Sequence, residues 1–165
     1  MAESAIYPSL RDRVVFVSGG ASGIGAAIVE QFCLQGAKVS FVDIDADAAA
    51  SLADDIAARD LPRPRFLPCD LKDVEALQYT IGQVITADGP ITALINNAAN
   101  DERHTIDDVT PAYFDDRIAV NLRHQFFATQ AVHGPMAEAG GGAIVNIGSV
   151  TWLIGQGGMP CYSAS

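Results

Sequence analysis

The chain has few basic residues and no long apolar run, and each shortage excludes a class of protein. Ten lysines and arginines stand against twenty aspartates and glutamates in 165 residues, which gives a formal net charge of −10. A surface this acidic repels phosphate backbones, so we expect no nucleic-acid partner. No apolar stretch approaches the roughly 20 residues that a membrane span needs, so we expect no membrane partner either.

Cysteine is also scarce. Cys33, Cys69 and Cys161 are odd in number, lie far apart and form no CxxC pair, which argues against a disulfide framework and a zinc site. No spacing of histidine, aspartate and glutamate suggests any other metal. The N-terminal residues 1–7 have no basic cluster before an apolar stretch, unlike a signal peptide. We therefore expect a cytoplasmic protein with reduced thiols and no metal site.

Hydrophobic residues are abundant at 49%, and the length suits one domain with a buried core. Short apolar runs predict strands, and each is followed by a helical pattern; the strands are expected at 14–17, 39–42, 65–67, 91–95 and 143–147. Strands that alternate with helices form right-handed crossovers and a parallel sheet. The sequence thus predicts a Rossmann-type, doubly wound α/β fold with helices on both faces, as one dinucleotide-binding domain over residues 1–165.

Turn and cap residues predict where several helices begin and end. Gly36 is expected just after the first helix, Asp45 is expected to cap the second, and Thr110 with Pro111 is expected to start a long helix that runs toward His133. In that helix, His124 and His133 are expected to be packed or surface residues. Residues 149–160 are predicted to be a loop, and a new helix is expected near Cys161.

A glycine-rich loop joins the first strand to the first helix. Gly19, Gly23 and Gly25 have the spacing GxxxGxG, with Ser22 and Ile24 between them. Glycines permit a tight turn and close approach of the backbone to a pyrophosphate, which the helix N-terminus attracts. An ordinary glycine-rich turn is the alternative, but the strand-loop-helix setting favours a dinucleotide site.

Acidic residues follow the second and third predicted strands. Asp43 ends the second strand, where a carboxylate can bind both hydroxyls of the adenosine ribose and repel a 2′-phosphate. Neither Gly20 nor Ile44 is basic, so the pattern favours NAD over NADP. Asp43 could instead cap the next helix, although Asp45 is equally well placed. Asp70 could bind the adenine amino group or cap a helix.

Four further features of the sequence complete a family pattern. Residues 96–99 read Asn-Asn-Ala-Ala after the fourth strand, Asn121 lies in the long helix, Ser149 ends the fifth strand, and Tyr162 follows thirteen residues later. Together with the glycine loop, these residues resemble the short-chain dehydrogenase/reductase family over the entire chain. The loop at 18–25 resembles the family's TGxxxGIG with serine for threonine, and 96–99 resembles NNAG with alanine for glycine.

The resemblance implies roles for these residues. Tyr162 would take the proton of a substrate hydroxyl, Ser149 would hold the substrate oxygen, and Asn121 would hold a proton-relaying water. A surface tyrosine, a core serine and a buried helix asparagine are the structural alternatives. The expected contacts with NAD come from Gly19, Ser22, Gly23, Ile24, Gly25, Asp43, Ile44, Asp70, Leu71, Asn97, Ala98 and Tyr162.

The family pattern YxxxK has a lysine four positions after its tyrosine, whereas this sequence stops at Ser165. We therefore interpret the chain as an N-terminal fragment that lacks the family's later helices and its last two, C-terminal strands. We expect no useful turnover from this polypeptide alone, and a fifth strand that forms an exposed apolar edge. The alternative is a truncated protein that binds NAD but is catalytically dead.

Residues 5–10, 97–104 and 117–132 resemble bacterial aldose dehydrogenases of the family. This resemblance implies hydride transfer to NAD from the anomeric carbon of an aldose, with D-xylose as the first candidate, to give a lactone. Another alcohol, a cyclic ketone or a 3-oxoacyl thioester is the alternative substrate. The family also implies a homotetramer that packs through the long helix, although the apolar residues there are equally consistent with core packing.

Polar and aromatic residues near the expected site are candidates for sugar contacts. They share positions after the fourth strand or after the fifth, at the end of a parallel sheet where ligands bind. For each residue outside the family motif, a solvated or packed loop position is the alternative. The candidates are Asn100, Asp101, Arg103, His104, Ser149, Trp152, Gln156 and Tyr162.

Overall fold

One five-stranded parallel sheet organises the protein. The structure, a computed structural model, describes residues 5–165. The strands are β1 (Val14–Ser18), β2 (Lys38–Asp43), β3 (Arg65–Pro68), β4 (Ala93–Asn96) and β5 (Ala143–Asn146). Their order is β3-β2-β1-β4-β5, and all four neighbouring pairs run parallel. The predicted Rossmann-type α/β fold is confirmed.

Helices follow the strands in the alternation that the sequence predicted. They are α1 (Gly23–Leu34), α2 (Ala46–Ala57), α3 (Val74–Asp88), α4 (Pro111–Ile118), α5 (His124–Glu138), α6 (Thr151–Ile154) and α7 (Pro160–Ser163). A short π-helix, Ala119–Arg123, joins α4 to α5. Within the described residues, no helix combines the length and the apolar character needed to cross a membrane.

Both faces of the sheet are covered, so the core has two layers. Val15 and Val17 of β1 pack in a cluster with residues of α1 and α2, whereas Phe16 packs on the opposite face with residues of α3 and α5. Every residue of β1 is buried as a result. This explains why the strand sequence is continuously apolar rather than alternating.

Three of the predicted helix boundaries are confirmed. Gly36 follows α1 with a φ of +77°, which favours glycine, Asp45 accepts a hydrogen bond from the Ala48 amide, and Thr110 accepts one from the Tyr113 amide. The suggestion that Asp70 caps a helix is wrong. Asp73 caps α3, because its side chain is the one that reaches the Ala76 amide.

The long helix contains one turn that the sequence did not predict, and the segment after β5 differs from the prediction. The helix passes His133 and ends at Glu138, because Pro135 is tolerated inside α5 and the chain leaves the helix only at Gly140, with a φ of +91°. Its middle turn is a π-helix, which the apolar spacing did not indicate. Residues 149–160, predicted to be a loop, contain the single turn α6, which Gly155 ends in the left-handed conformation.

Strand β5 lies at one edge of the sheet. Val145 is 42% exposed there, whereas Val17 in the central strand is fully buried. The prediction of an exposed apolar edge is confirmed. All three cysteines are free and buried, and burial raises the pKa of the Cys33 thiol to about 12.

Candidate active site

A cavity of about 750 Å³ opens at the carboxyl ends of the central strands. Its wall includes Gly19 after β1, Asp43 at the end of β2, Asn97 after β4 and Ser149 after β5. All twelve residues predicted to contact the cofactor line this one cavity. The fold thus brings them together, and the volume lies in the range of about 300–1,000 Å³ that small-molecule sites occupy.

Neighbouring backbone atoms exclude a side chain at two positions of the glycine loop. Gly19 has a φ of +67°, and a Cβ atom there would lie 2.7 Å from the Ala98 Cα atom. A Cβ atom on Gly25 would lie 1.8 Å from the Gly19 carbonyl oxygen, which leaves no room for any side chain. The backbone turn therefore packs directly against the chain that follows β4 and against the first turn of α1, at the floor of the cavity.

Helix α1 presents its N-terminus to the cavity. Ser22 occupies the N-cap position but makes no side-chain hydrogen bond to the first turn. Gly23 has a φ of +54°, and no atom lies within 4 Å of the position that its Cβ would take. The first turn therefore offers backbone N–H groups, the positive end of the helix dipole and open space, which together suit a phosphate group.

Three backbone amides hold the Asp43 carboxylate in place. One carboxylate oxygen accepts a hydrogen bond from the Ala21 amide at 2.9 Å, and the other accepts from the Ile44 amide at 2.8 Å and the Asp45 amide at 3.1 Å. The carboxylate therefore does not cap α2, which Asp45 does. It joins the glycine loop to the end of β2 and fixes an acceptor at the cavity wall.

Ser18 and Asn97 fasten the glycine loop to β4. The Ser18 hydroxyl accepts hydrogen bonds from the amides of Asn97 and Ala98, at 3.1 and 3.2 Å. The Asn97 side-chain amide in turn donates to the carbonyl oxygens of Ser18 and Gly19, at 3.2 and 2.9 Å. Two motifs that are far apart in the sequence thus form one hydrogen-bonded unit.

His124 supports this unit from inside the core. Its Nε2 atom lies 3.4 Å from the Ser18 hydroxyl oxygen, and its side chain is completely buried. Burial lowers the pKa of this imidazole to about 4, so the ring is neutral near pH 7. Of the two open interpretations, packed or surface, the structure shows that His124 is packed and His133 is exposed.

Asn121 lies in the π-helix and is buried, as one of the alternatives predicted. Its side-chain oxygen accepts a hydrogen bond from the Asn100 amide at 2.7 Å, and its amide donates to the Asn100 carbonyl oxygen and the Ser165 hydroxyl, at 3.2 and 3.1 Å. The π-turn offsets the helix by one residue there, a deformation that often occurs at functional sites. It leaves the Asn121 carbonyl oxygen to accept from the Gln125 side chain.

Ser149 and Tyr162 lie at the rim shared by two cavities. Both line the large cavity, and both also line a smaller one of about 210 Å³ together with Asn121 and Trp152. The three residues expected to be catalytic therefore line one space. Trp152 is 70% exposed beside this space, which leaves its ring face accessible.

The residues of the loop after β4 that were expected to contact a sugar take different positions. Asn100 and Asp101 line the large cavity, whereas Arg103 is exposed and lines neither cavity. His104 is half-buried and is hydrogen bonded through both ring nitrogens, so the solvated alternative is wrong for this residue. Gln156 is exposed away from both cavities.

Two basic residues that the sequence did not indicate lie at the cavity wall. Arg117 is buried, forms an ion pair with Asp116 and holds the pKa of that carboxyl below its usual value. Lys72 lies 3.1 Å from the same carboxylate. The position of Arg117 four residues before Asn121, on one helix face, was the signal that could have revealed it. No comparable signal identifies Lys72.

No cluster of three His, Cys, Asp or Glu side chains that could hold a metal ion occurs among residues 5–165.

The family model for short chain dehydrogenases matches residues 13–165. Among curated relatives, the probable galactose dehydrogenase GalD of Rhizobium meliloti (strain 1021) is 44% identical over 162 residues, and D-xylose 1-dehydrogenase of Caulobacter vibrioides is 43% identical over 162 residues. Each alignment covers 98% of this chain but 63% of the relative. The chain thus spans less than two thirds of the length of the curated relatives it matches.

Solved structures share the fold. A short-chain dehydrogenase/reductase from Serratia marcescens BCRC 10948 superposes with a TM-score of 0.86 at 31% identity, covering 96% of this chain and 64% of that one. A metagenomic short-chain oxidoreductase in complex with NADP superposes with a TM-score of 0.88 at 29% identity, covering 94% of this chain and 71% of that one. The chain belongs to the short-chain dehydrogenase family.

Proposed function

We propose that the protein is an NAD-dependent aldose 1-dehydrogenase that oxidises the anomeric hydroxyl of a sugar, D-xylose first among the candidates, to a lactone. One observation carries the proposal. The cavity built by the dinucleotide loop ends at Ser149 and Tyr162, so that a nucleotide-sized space and a hydroxyl pair meet at one rim. This arrangement suits proton transfer to or from a substrate oxygen beside a nicotinamide.

The cavity residues fit a dinucleotide. The open space beside Gly23 and the uncapped first turn of α1 accommodate a pyrophosphate, while Asp43 presents carboxylate oxygens further along the wall. A bound nicotinamide would supply the hydride acceptor. The protein would bind the dinucleotide through the glycine loop and Asn97. Val120 and Leu71 would form an apolar wall against one of its bases.

Asp43 supports NAD rather than NADP. An ionised carboxylate at the ribose accepts hydrogen bonds from the 2′- and 3′-hydroxyls and repels a 2′-phosphate. Lys72 also lines the cavity, but it lies 3.1 Å from the Asp116 carboxylate and 4.0 Å from Asp70, so its charge is partly neutralised by acids. The NADP-bound relative makes this preference a question for direct measurement.

The chemistry at the rim follows from three side chains. Tyr162 would exchange a proton with the anomeric hydroxyl, and Ser149 would hold the same oxygen by a hydrogen bond. Asn121 shares the smaller cavity with both, and its amide is already fixed between Asn100 and Ser165. We assign it to a proton path from Tyr162 through water, since the smaller cavity can hold water.

A sugar suits the polar character of the rim. Asn100, Asp101 and Ser149 line the large cavity, and Trp152 lines the smaller cavity with an exposed side chain. Such groups can hydrogen bond several hydroxyls and cover one apolar face of a pyranose. The two relatives named as dehydrogenases of galactose and of D-xylose support the same substrate class.

The test is formation of NADH or NADPH by the protein made from its whole reading frame. NAD and NADP would each be offered with D-xylose, D-galactose, L-arabinose, D-glucose, L-fucose and a 3-hydroxyacyl thioester. We expect strong NAD-linked turnover on one of the aldoses. Turnover on the thioester alone would support the competing substrate class, and NAD binding without turnover on any of them would support the catalytically inactive alternative.

The cofactor preference has a separate test in Asp43→Asn. Removal of the negative charge should raise the KM for NAD by about tenfold, the usual size of a lost charged hydrogen bond, and should raise kcat/KM with NADP. Asp45→Asn is the matched control, because Asp45 caps α2 and does not line the cavity. An unchanged NAD to NADP ratio in Asp43→Asn would contradict the role of Asp43.

We also propose a cytoplasmic homotetramer. The free, buried cysteines suit a reducing compartment. Phe126 is 66% exposed and Leu122 46% exposed along the helix from Pro111 to Glu138, which leaves apolar surface for a second subunit. Light scattering of the full-length protein tests this, and a lower mass for Phe126→Asp than for His133→Asp would support this helix as the interface.

A further inference from the structure

We propose that His104 is a positioning residue that fixes Tyr162 by capping helix α7 from a distant loop. The inference extends the proposed function, because it concerns how the expected catalytic tyrosine is held in place. His104 belongs to the loop after β4 and lies 57 positions before Cys161, the residue that it contacts. Neither residue touches the reacting groups, so the proposed effect on catalysis is indirect.

Helix α7 cannot cap its own N-terminus. Met159 occupies the N-cap position and makes no side-chain hydrogen bond, because its thioether is a weak acceptor. Pro160 at the first helical position has no N–H group, so Cys161 carries the first amide of the helix. Cys161 is buried, and an unpaired amide there would be costly.

His104 supplies the missing acceptor. The Cys161 amide donates to its Nε2 atom at a distance of 3.1 Å. A backbone N–H group can only donate, so Nε2 carries no proton, and the proton of the neutral ring is on Nδ1. Nδ1 lies 2.8 Å from the Glu102 carbonyl oxygen, which can only accept, so both partners require the same tautomer.

The surroundings hold the ring in this orientation. The Tyr113 hydroxyl lies 3.1 Å from Nδ1, and the two rings meet edge-on with their centroids 4.8 Å apart. The Arg117 guanidinium lies 5.1 Å from the Tyr113 ring centroid and 3.6 Å from the Glu102 carboxylate. The imidazole is therefore packed between helix α4 and α7 rather than free in a loop.

A second hydrogen bond joins the same two segments. The His104 amide donates to the Gly158 carbonyl oxygen at 2.9 Å. The loop after β4 is thus attached to the chain immediately before α7 and to its first amide, one residue from Tyr162. Because Asn100 and Asp101 of this loop line the cavity, the loop that would contact the sugar also sets the place of the tyrosine.

The test compares two substitutions in the full-length protein. His104→Phe keeps a flat ring against Tyr113 but removes the acceptor, whereas His104→Gln keeps an acceptor near the position of Nε2. Because small misplacements of a reacting group cost up to about a hundredfold in rate, we expect kcat of His104→Phe to fall at least tenfold. Its affinity for NAD should stay within twofold, and His104→Gln should recover most of the loss.

Tyr113→Phe is the matched control. It removes the hydroxyl beside Nδ1 and leaves the bond between Cys161 and Nε2 intact, so its kcat should remain within twofold of the wild type. If His104→Phe matches the wild type in kcat while the wild type oxidises a sugar, the positioning role is overturned and the proposed function stands. A fall that His104→Gln does not reverse would also overturn it.

Hydrogen exchange gives a readout that needs no turnover. We expect the Cys161 amide to exchange at least tenfold faster in His104→Phe, and near the wild-type rate in His104→Gln. Faster exchange in a protein that turns over none of the substrates would uphold the cap and reject the proposed function. If His104→Phe does not fold, nitrogen NMR of the wild type decides, because a protonated Nε2 on His104 overturns the proposal.

Discussion

The two sides of the candidate active site are built in different ways. On the nucleotide side, the glycine loop, β2 and β4 are held by backbone packing and by hydrogen bonds from Ser18, Asp43 and Asn97. On the reaction side, residues 149–163 form two single-turn helices, and α6 is almost entirely exposed. The first side is part of the core, whereas the second is attached to it by side chains such as His104 and Asn121.

This difference predicts which substitutions should affect nucleotide binding and which should affect only the chemical step. Changes in the packed floor should alter folding and nucleotide affinity together, because the loop has no room to adjust. Changes at the rim should alter turnover with little effect on the fold, since the rim carries few core residues. Substitutions on the two sides should therefore differ in their effects on turnover, nucleotide affinity and stability.

Tyr162→Phe should separate chemistry from binding most clearly. Loss of the hydroxyl removes the proposed proton donor and acceptor, and general acid–base groups contribute about 10²- to 10⁴-fold in rate. We expect kcat with the preferred sugar to fall by that factor, while NAD affinity by fluorescence titration stays within twofold. Tyr7→Phe, an exposed tyrosine near the N-terminus, serves as the control and should behave like the wild type. Equal turnover in both variants would remove Tyr162 from the mechanism.

Gly25→Ala, at the floor of the cavity, should lower both the free energy of unfolding and the affinity for NAD. Its Cβ would lie 1.8 Å from the Gly19 carbonyl oxygen, so the loop must move. We expect the free energy of unfolding to fall by at least about 3 kcal/mol, near the upper end for overpacked sites, with weaker NAD binding. Urea denaturation and fluorescence titration measure the two effects.

Gly82→Ala is the matched helical control for that variant. No atom lies within 4 Å of the position its Cβ would take, so the same substitution should stabilise α3 by about 0.5–1 kcal/mol. A Gly25→Ala protein as stable as Gly82→Ala would show that the glycine loop is loose. The contrast between packed floor and open rim would then be lost.

His124 gives the floor a dependence on pH. Its pKa is lowered from 6.5 to about 4 by burial, so the unfolded chain binds a proton between these values that the folded protein excludes. The stability contributed by the neutral ring is complete above about pH 6.5 and is lost as the pH falls through 4. A difference of two to three pKa units corresponds to about 3 kcal/mol.

The measurement is urea denaturation of the wild type and His124→Gln at pH 7 and pH 4. The wild type should lose about 3 kcal/mol more than the variant over this interval. Acidic groups such as Asp116 titrate in both proteins, so their contribution cancels in the difference. Parallel losses in the two proteins would show that His124 is charged or solvated in the fold, contrary to the burial seen beneath Ser18.

The sequence predicted the nucleotide side far better than the reaction side. Apolar runs, the glycine spacing and Asp43 are local signals, because each strand ends directly in the residues it presents to the cavity. All twelve expected cofactor contacts consequently line one space. The sequence did not indicate that Asp43 also accepts the Ala21 amide, since that bond joins the ends of two strands that are neighbours only in the folded sheet.

The reaction side depends on contacts between distant parts of the chain. The sequence does not distinguish a sugar contact from a solvated loop position for His104, because nothing near it in the sequence indicates the Cys161 amide 57 positions later. The π-turn at Asn121 has the same residue types as a regular helix, so periodicity did not reveal it. Helix α6 is one turn long, which is below the length that periodic signals can identify.

Two valines, one in the central strand and one in the edge strand, give the smallest and sharpest form of the comparison. Val17 in β1 is fully buried between the helical layers, whereas Val145 in the edge strand β5 is 42% exposed. Val17→Thr should cost about 2 kcal/mol of unfolding free energy, because it places an unpaired hydroxyl in the core. In the 165-residue polypeptide, Val145→Thr should change the unfolding free energy by less than about 0.5 kcal/mol, as exposed substitutions do. Urea denaturation of this polypeptide and of the full-length protein measures both substitutions, and a loss at Val145 as large as that at Val17 in the 165-residue polypeptide would contradict the exposed edge. The same loss in the full-length protein alone would mean that further chain or another subunit covers β5, and the reaction side would then be packed as firmly as the nucleotide side.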